Sequence, residues 1–246
     1  MHAFHTNGFD LPPPDLPPEF ETEPQVRALD LKDLPALMDL EREKWTQEQA
    51  ASERQLRRRI AAHADLGLGA FCPWTGRLLA SLFMRPVAAD FWQHADTWAH
   101  CLEQPQPIRS AALFGVSLSS RDVAAVDAIL RFFWPRALKG GWRHIYLGSP
   151  VPGLRQWLQR HPQGCADKYA RMQRSGLPLD PQLRYYHLRG FKEIVCVKPG
   201  YFPHERSQDH GVILRGTIPL STLVPIWRAL PLTSAQRVTR QLSSLL

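Results

Sequence analysis

Residues 109–149, RSAALFGVSLSSRDVAAVDAILRFFWPRALKGGWRHIYLGS, constrain the fold more than any other stretch. The segment opens on an apolar strand, RSAALFGVSLS (109–119). A helix follows in which Val126, Ile129, Leu130 and Phe133 repeat at i, i+3, i+4 and i+7, and Gly140 and Gly141 close it. Pro135 is expected to kink or end that helix, because it brings no N–H to the ladder. RHIYLGS (143–149) is a second strand. Strand, helix and strand in this order form a β-α-β crossover.

Around the crossover the pattern changes to antiparallel neighbours. QVRALDL, from Gln25, reads as a short strand, and KDLPALMDLEREKW as a helix. Pro35 suits the first turn of that helix, and Leu34, Leu37, Met38 and Glu41 lie on neighbouring turns. A second helix is expected roughly from Thr46 to His63, where Leu56, Ile60 and Ala64 recur every four residues. LGLGAFCP and GRLLASLFMRPV, separated by WTG, read as a hairpin. DFWQHADTWAHCLE reads as helical, and residues 152–180 as irregular to helical. DPQLRYYHLRGF (180–191) reads as a helix with Asp180 as N-cap and Pro181 at its first position. KEIVCVKP and HGVILRGTIPL complete the strands. The expected class is α+β, or α/β with a mixed sheet. FDLPPPDLPPEFETEP (9–24) is too rich in proline for a helix or central strand, so residues 1–24 are expected to form an extended arm. Residues 25–220 are then the folded domain, and 221–246 a helical tail interrupted by Pro225 and Pro231.

A chain of 246 residues with 44% hydrophobic residues can bury a sizeable core. Its formal charge of +7 favours anionic partners. The basic residues are spread out, and the densest run, RQLRRR (54–59), reads as a solvated helix face, so nucleic acid ranks below the other partners. Cys72, Cys101, Cys165 and Cys196 stand far apart with no C-x-x-C pair, which points to reduced thiols, a cytoplasmic setting and no metal site. No apolar stretch has the length of a membrane span.

Two places can carry chemistry. The start of the crossover helix offers free backbone N–H groups and a positive dipole end, a ready anion site. Ser119 or Ser120 is expected to cap it, with Asp122 in its first turn. The second place is Tyr185-Tyr186-His187: three consecutive rings on a helix point about 100° apart, so at least one faces away from the core.

With these segments in order, residues 25–220 resemble the GCN5-related N-acetyltransferase (GNAT) superfamily. That resemblance implies a mostly antiparallel sheet, splayed between strands 4 and 5 and flanked by helices. The family's pyrophosphate loop has the pattern (Q/R)-x-x-G-x-(G/A). Here Arg121, Asp122, Val123, Ala124, Ala125 and Val126 occupy it, with Ala124 and Val126 where small residues normally let the phosphates approach. YYHLRGF (185–191) matches the family's FYxxxGF, which gives Tyr186 the role of protonating the departing CoA thiolate. Residues 145–220 more narrowly resemble the GNAT-like domains of polyketide synthase loading modules, through LGSPVPG, DPQLRYYHLRGF and VKPGYFPHERSQDHGVILRG. Decarboxylating members of that group carry a histidine where this chain has Tyr186, a departure that fits simple acyl transfer better.

The resemblance implies acetyl-CoA or another acyl-CoA as substrate and no metal. Backbone N–H groups of Val116, Ser117 and Leu118 would polarise the thioester carbonyl. Ser149 lies beside the expected pantetheine slot, or caps the turn that follows it, and His187 is a candidate base or an exposed helix residue. The acceptor is an amine or the thiol of an acyl carrier protein. The competing functions are decarboxylation of malonyl-CoA with S-acetyl transfer, and a non-catalytic GNAT-shaped binding module.

Overall fold

Apolar periodicity resolves into alternating strands and helices in the computed structural model, which describes residues 22–243. The first half holds β1 (Gln25–Ala28), α1 (Leu34–Lys44), α2 (Glu53–Ala62), β2 (Gly67–Phe71), β3 (Leu78–Val87) and α3 (Trp98–Glu103). The crossover is β4 (Ala112–Ser120), α4 (Val123–Gly140) and β5 (His144–Pro150). Next come α5 (Leu154–Arg160), α6 (Ala166–Arg171), the short strands β6 (Gln173–Arg174) and β7 (Leu177–Pro178), and α7 (Pro181–Leu188). The chain continues through β8 (Glu193–Lys198), β9 (Gly211–Thr217), α8 (Val224–Ala229) and α9 (Leu232–Ser243). Seven strands follow the order β1-β2-β3-β4-β5-β9-β8, and β6-β7 form a separate pair. The β4–β5 pair is parallel, whereas β1–β2, β2–β3, β5–β9 and β9–β8 are antiparallel, so the class is α+β with a mixed sheet. The part of the proline-rich arm up to residue 21 lies outside the described residues.

The chain folds as two units. The first takes residues up to Arg85, Val116–Gly140 and Pro225 onward; the second takes Pro86–Gly115 and Gly141–Val224. In the first unit, Leu34, Leu37 and Leu40 bury the apolar stripe of α1. Helix α2 starts at Glu53, not near Thr46 as the periodicity suggests. Ser52 and Gln55 form a reciprocal capping box, and the Ala51 N–H before it donates to Glu41 Oε2 at 2.9 Å. β2 is buried throughout and β3 nearly so, the pattern of strands covered on both faces. Helix α4 runs to Gly140, as its glycine pair suggests, and Pro135 does not end it. Pro135, Ala137 and Leu138 are buried there, and this burial offsets a backbone cost of about 3 kcal/mol. Helix α9 packs on α4, and Lys139 Nζ donates to the carbonyls of Arg228 (3.2 Å) and Leu230 beyond the end of α8.

In the second unit the parallel ladder has four registered pairs, from Ala112↔His144 to Gly115↔Leu147. β9 pairs with β5 along its whole length and with β8 on its other side, where the register shifts between Ile194 and Cys196. Val151, Leu154, Trp157, Tyr169, Leu183 and Leu214 form the core. Tyr201 lies across two strands so closely that a Cβ on Gly211 would sit 2.1 Å from its ring, and one on Gly148 2.4 Å from its hydroxyl. Only glycine fits at either position.

A buried carboxylate ties this unit together. Asp180, 1% exposed, caps α7 by accepting from the N–H groups of Gln182 (2.9 Å) and Leu183 (3.2 Å) on Oδ1. Its Oδ2 accepts from Gly153 N–H (3.0 Å) and the Tyr169 hydroxyl (2.9 Å). Asp180→Ala removes a helix cap and leaves two further buried donors unpaired. The expected loss is about 3 kcal/mol of unfolding free energy, read from urea denaturation; a loss below about 1 kcal/mol would show that the carboxylate contributes no more than an ordinary cap.

His204 adds a pH dependence. Its Nδ1 accepts from Ser207 N–H (3.2 Å) and lies 2.7 Å from Ser207 Oγ, which in turn accepts from Val151 N–H at 2.8 Å. The ring is therefore neutral, with Nδ1 unprotonated. Burial and then the nearby Arg206 charge lower its pKa, while Asp209 pulls the other way. A base with a depressed folded pKa contributes stability that is complete above the unfolded value, about 6.5, and is lost as pH falls below it. The thermal midpoint of the wild type should therefore fall more steeply between pH 7.5 and 5.5 than that of His204→Asn, which keeps a cap acceptor. Parallel curves for the two proteins would remove His204 as the source.

Candidate active site

The β4–α4 junction belongs to the first unit. Asp122 N–H donates to Ser120 Oγ (3.0 Å), and Asp122 Oδ1 accepts from Ala124 N–H (3.0 Å). Asp122 itself is therefore the cap, in place of the expected Ser119 or Ser120, and an acidic side chain sits at the positive end of α4. The motif RDVAAV is not an open loop: Val123, Ala124, Ala125 and Val126 are the first turn of the helix. Ala125 and Val126 are 0% and 1% exposed, so the valine points into the core. Neither alanine nor valine adopts a positive φ.

Arg121 is held in place by protein partners. Its N–H donates to Leu79 O at 2.7 Å, and its guanidinium bonds Leu78 O and Glu43 Oε2, the latter at 2.6 Å. Burial works to raise the Glu43 carboxyl, but the hydrogen bonds and charges of Arg121 and Lys44 prevail and hold it below the usual range. Arg121 thus fastens the junction to β3 and α1.

The outer half of β4 faces a polar cluster absent from the sequence expectation. Trp45 Nε1–H donates to Ser119 Oγ (2.7 Å), whose own proton goes to Glu41 Oε1 (2.7 Å). Glu41 is 2% exposed. Two residues away on the same strand face, Ser117 Oγ accepts from Arg59 Nη1 at 3.2 Å. Arg59 was read with the solvated arginine run, yet burial lowers its pKa, opposed by the Glu41 charge. The one available signal was a glutamate on the apolar stripe of α1. Val116 is buried and Leu118 half-buried beside this cluster.

The second unit holds Ser149, Tyr186 and His187. Ser149 is fully buried, and its hydroxyl turns back to Pro150 O at 2.8 Å, so it neither caps the following turn by side chain nor opens to a slot. Tyr186 is half-buried against the core of the unit, with ring centroids 5.3 Å from Tyr185 and 6.0 Å from Phe191 in edge-on geometry. Burial pushes its phenol up to about 12, against a hydrogen bond with Gln182 and the charge of Arg189. Arg189 itself stacks 3.7 Å over the Tyr185 ring. His187, one step further round α7, lines a groove with Leu183 that Tyr186 does not line. The neighbouring rings thus serve different surroundings.

Among the described residues no group of three or more His, Cys, Asp or Glu could hold a metal, and no helix is long and apolar enough to cross a membrane. No protein-family model matches the sequence, and no curated protein does. Solved structures do match. The loading GNATL domain of CurA from Lyngbya majuscula aligns with a TM-score of 0.67 at 17% identity, over 80% of this chain and 98% of that one. The GphF GNAT-like decarboxylase, solved in complex with isobutyryl-CoA, aligns with a TM-score of 0.64 at 22% identity, over 79% and 99%. Malonyl-CoA decarboxylase from Cupriavidus metallidurans gives 0.51 at 14% identity, over 84% and 63%. With its parallel β4–β5 pair beside the antiparallel β5–β9 and β9–β8 pairs, and with two GNAT-like domains superposing along nearly their whole length, this chain has the GNAT-like fold.

Proposed function

We propose that this protein is an acyl-CoA-dependent acyltransferase that moves an acetyl or short acyl group from CoA to an amine or a carrier-protein thiol. The observation that carries the reading is the fold itself, shared over 99% of the length of a domain that was solved holding isobutyryl-CoA. In this reading the first turn of α4 receives the pyrophosphate, where Ala124 is exposed and small and Val126 is turned inward. Backbone N–H groups at Val116–Leu118 polarise the thioester carbonyl. The acceptor nitrogen or sulfur bonds to the carbonyl carbon, the carbon–sulfur bond to CoA breaks, the acceptor's proton passes through solvent to the departing sulfur, and Tyr186 donates a hydrogen bond to that sulfur as charge develops on it. His187 is left as a groove residue, and Ser149 as a support of β5.

Tyr186→Phe should lower turnover roughly ten- to a hundredfold while the Kd for acetyl-CoA changes less than about twofold, because the hydroxyl acts mainly on the developing thiolate. Release of CoA with a small amine or pantetheine as acceptor measures the first, and calorimetry the second. An unchanged chemical rate removes Tyr186 from the reaction. Formation of acetyl-CoA from malonyl-CoA in the same assay would replace simple transfer by decarboxylation, the chemistry named for two of the similar structures. No heat with CoA or acetyl-CoA at about 1 mM would leave a binding module of another kind.

The anionic cap yields a second test. Asp122→Asn keeps a cap acceptor and removes a negative charge from the helix start, so CoA should bind about two- to fivefold more tightly at low salt, the gain shrinking as salt rises. Equal or weaker binding would place the pyrophosphate elsewhere.

A further inference from the structure

A groove of about 240 Å³ in the second unit has no part in the chemistry above. Ala170, Leu183 and Leu214, all 2% exposed or less, form its floor. Its rim carries Arg171, His187 and Lys192. Among the described residues neither the Lys192 ammonium nor the His187 ring has a side-chain hydrogen bond or ion pair. Arg171 bonds Asp167 through Nε at 3.1 Å, and its side chain is 49% exposed.

The stretch of chain that supplies most of this groove is basic. Between Ala166 and Lys198 the sequence has seven Lys and Arg against three acids, an excess of four out of a total of +7 for the chain. Two of these seven cations are paired, Arg171 with Asp167 and Lys198 with Asp96, and Glu193 is paired with Arg215 from outside the stretch, which leaves Lys192, among the described residues, as the unpaired cation of the rim. The rim therefore presents net positive charge over an apolar floor. α7 also leaves Leu188 66% exposed.

We propose that this groove docks an acidic amphipathic segment of a protein partner, which seats an apolar side chain on the floor and sets carboxylates against Lys192, His187 and Arg171. The volume lies below the roughly 300–1,000 Å³ of small-molecule sites and suits a single anchoring side chain, the usual centre of a protein interface. A nucleic-acid backbone would satisfy the rim but has nothing to place on an apolar floor. The positive rim also speeds encounter with an acidic partner.

The test uses a short fluorescent glutamate-rich peptide with one central leucine, and binding is read by anisotropy without any turnover, so its outcome is independent of the acyl-transfer reading. Saturable binding is expected, weakening as salt rises. Lys192→Glu should weaken it about tenfold, and so should a peptide with serine in place of leucine. Lys192 is exposed, and Arg171→Gln provides a second variant should Lys192→Glu misfold. The proposal is overturned by no saturation at about 1 mM peptide, by equal binding to the variants, or by indifference to the leucine. A short oligouridylate that binds more tightly than the peptide and loses binding in Lys192→Glu assigns the groove to nucleic acid and equally overturns it.

Discussion

Four hydrogen bonds converge on the Asp180 carboxylate, and the placement of α7 depends on them. Two donors are the first free N–H groups of α7, one belongs to the residue before α5, and one is the Tyr169 hydroxyl of α6. Burial raises the Asp180 pKa, and these donors work in the other direction. A carboxylate with both oxygens doubly bonded to donors fixes the rotation of the helix as well as its start. That rotation decides which ring of Tyr185-Tyr186-His187 faces the core and which faces the groove. A helix held only by apolar contacts could turn by a fraction of a residue at little cost; one pinned by a buried cap cannot.

The α4 start shows the same device with the opposite consequence. A helix that is to receive a pyrophosphate does best with bare N–H groups, whereas this one spends one of them on its own aspartate. The cap stabilises the apo protein by about 1 kcal/mol and places a like charge where an anionic ligand would approach. Arg121, the adjacent cation, is tied to Glu43 and β3 and does not balance that charge. The junction is thus built first for stability, and any phosphate there binds on the N–H groups and dipole that remain.

Much of this was legible in the sequence, and the misses have physical causes. The crossover, the hairpin and the Asp180-Pro181 helix start carry local signals, namely apolar runs of fixed period and a cap followed by proline, and all three appear. Pro135 does not end α4, because burial of Pro135, Ala137 and Leu138 outweighs the local backbone rule. α2 begins late because of a contact between Glu41 and Ala51, ten residues apart. Arg121, Arg59 and Val126 share one cause. A motif gives the type of residue but not its direction, and each of these points inward to partners from β3, β4 or the core. The cationic groove carries no sequence signal of its own, because Arg171, His187 and Lys192 stand on separate segments and meet only in the fold.

The phenol of Tyr186 bears on which acceptor suits this chain. With its pKa pushed up to about 12, full proton transfer to a thiolate of about 8.5 is uphill by roughly 5 kcal/mol. The hydroxyl is therefore better suited to hold a hydrogen bond to sulfur than to give up its proton. Transfer to an amine requires the acceptor to lose a proton and the departing thiolate to gain one, so it is sensitive to the strength of the acid. A carrier thiol that attacks as its thiolate has nearly the same pKa as the thiolate that leaves, so that the acyl-transfer step needs no net protonation. Within the proposed acyl transfer, a strongly held phenolic proton would cost the thiolate reaction little and the amine reaction more.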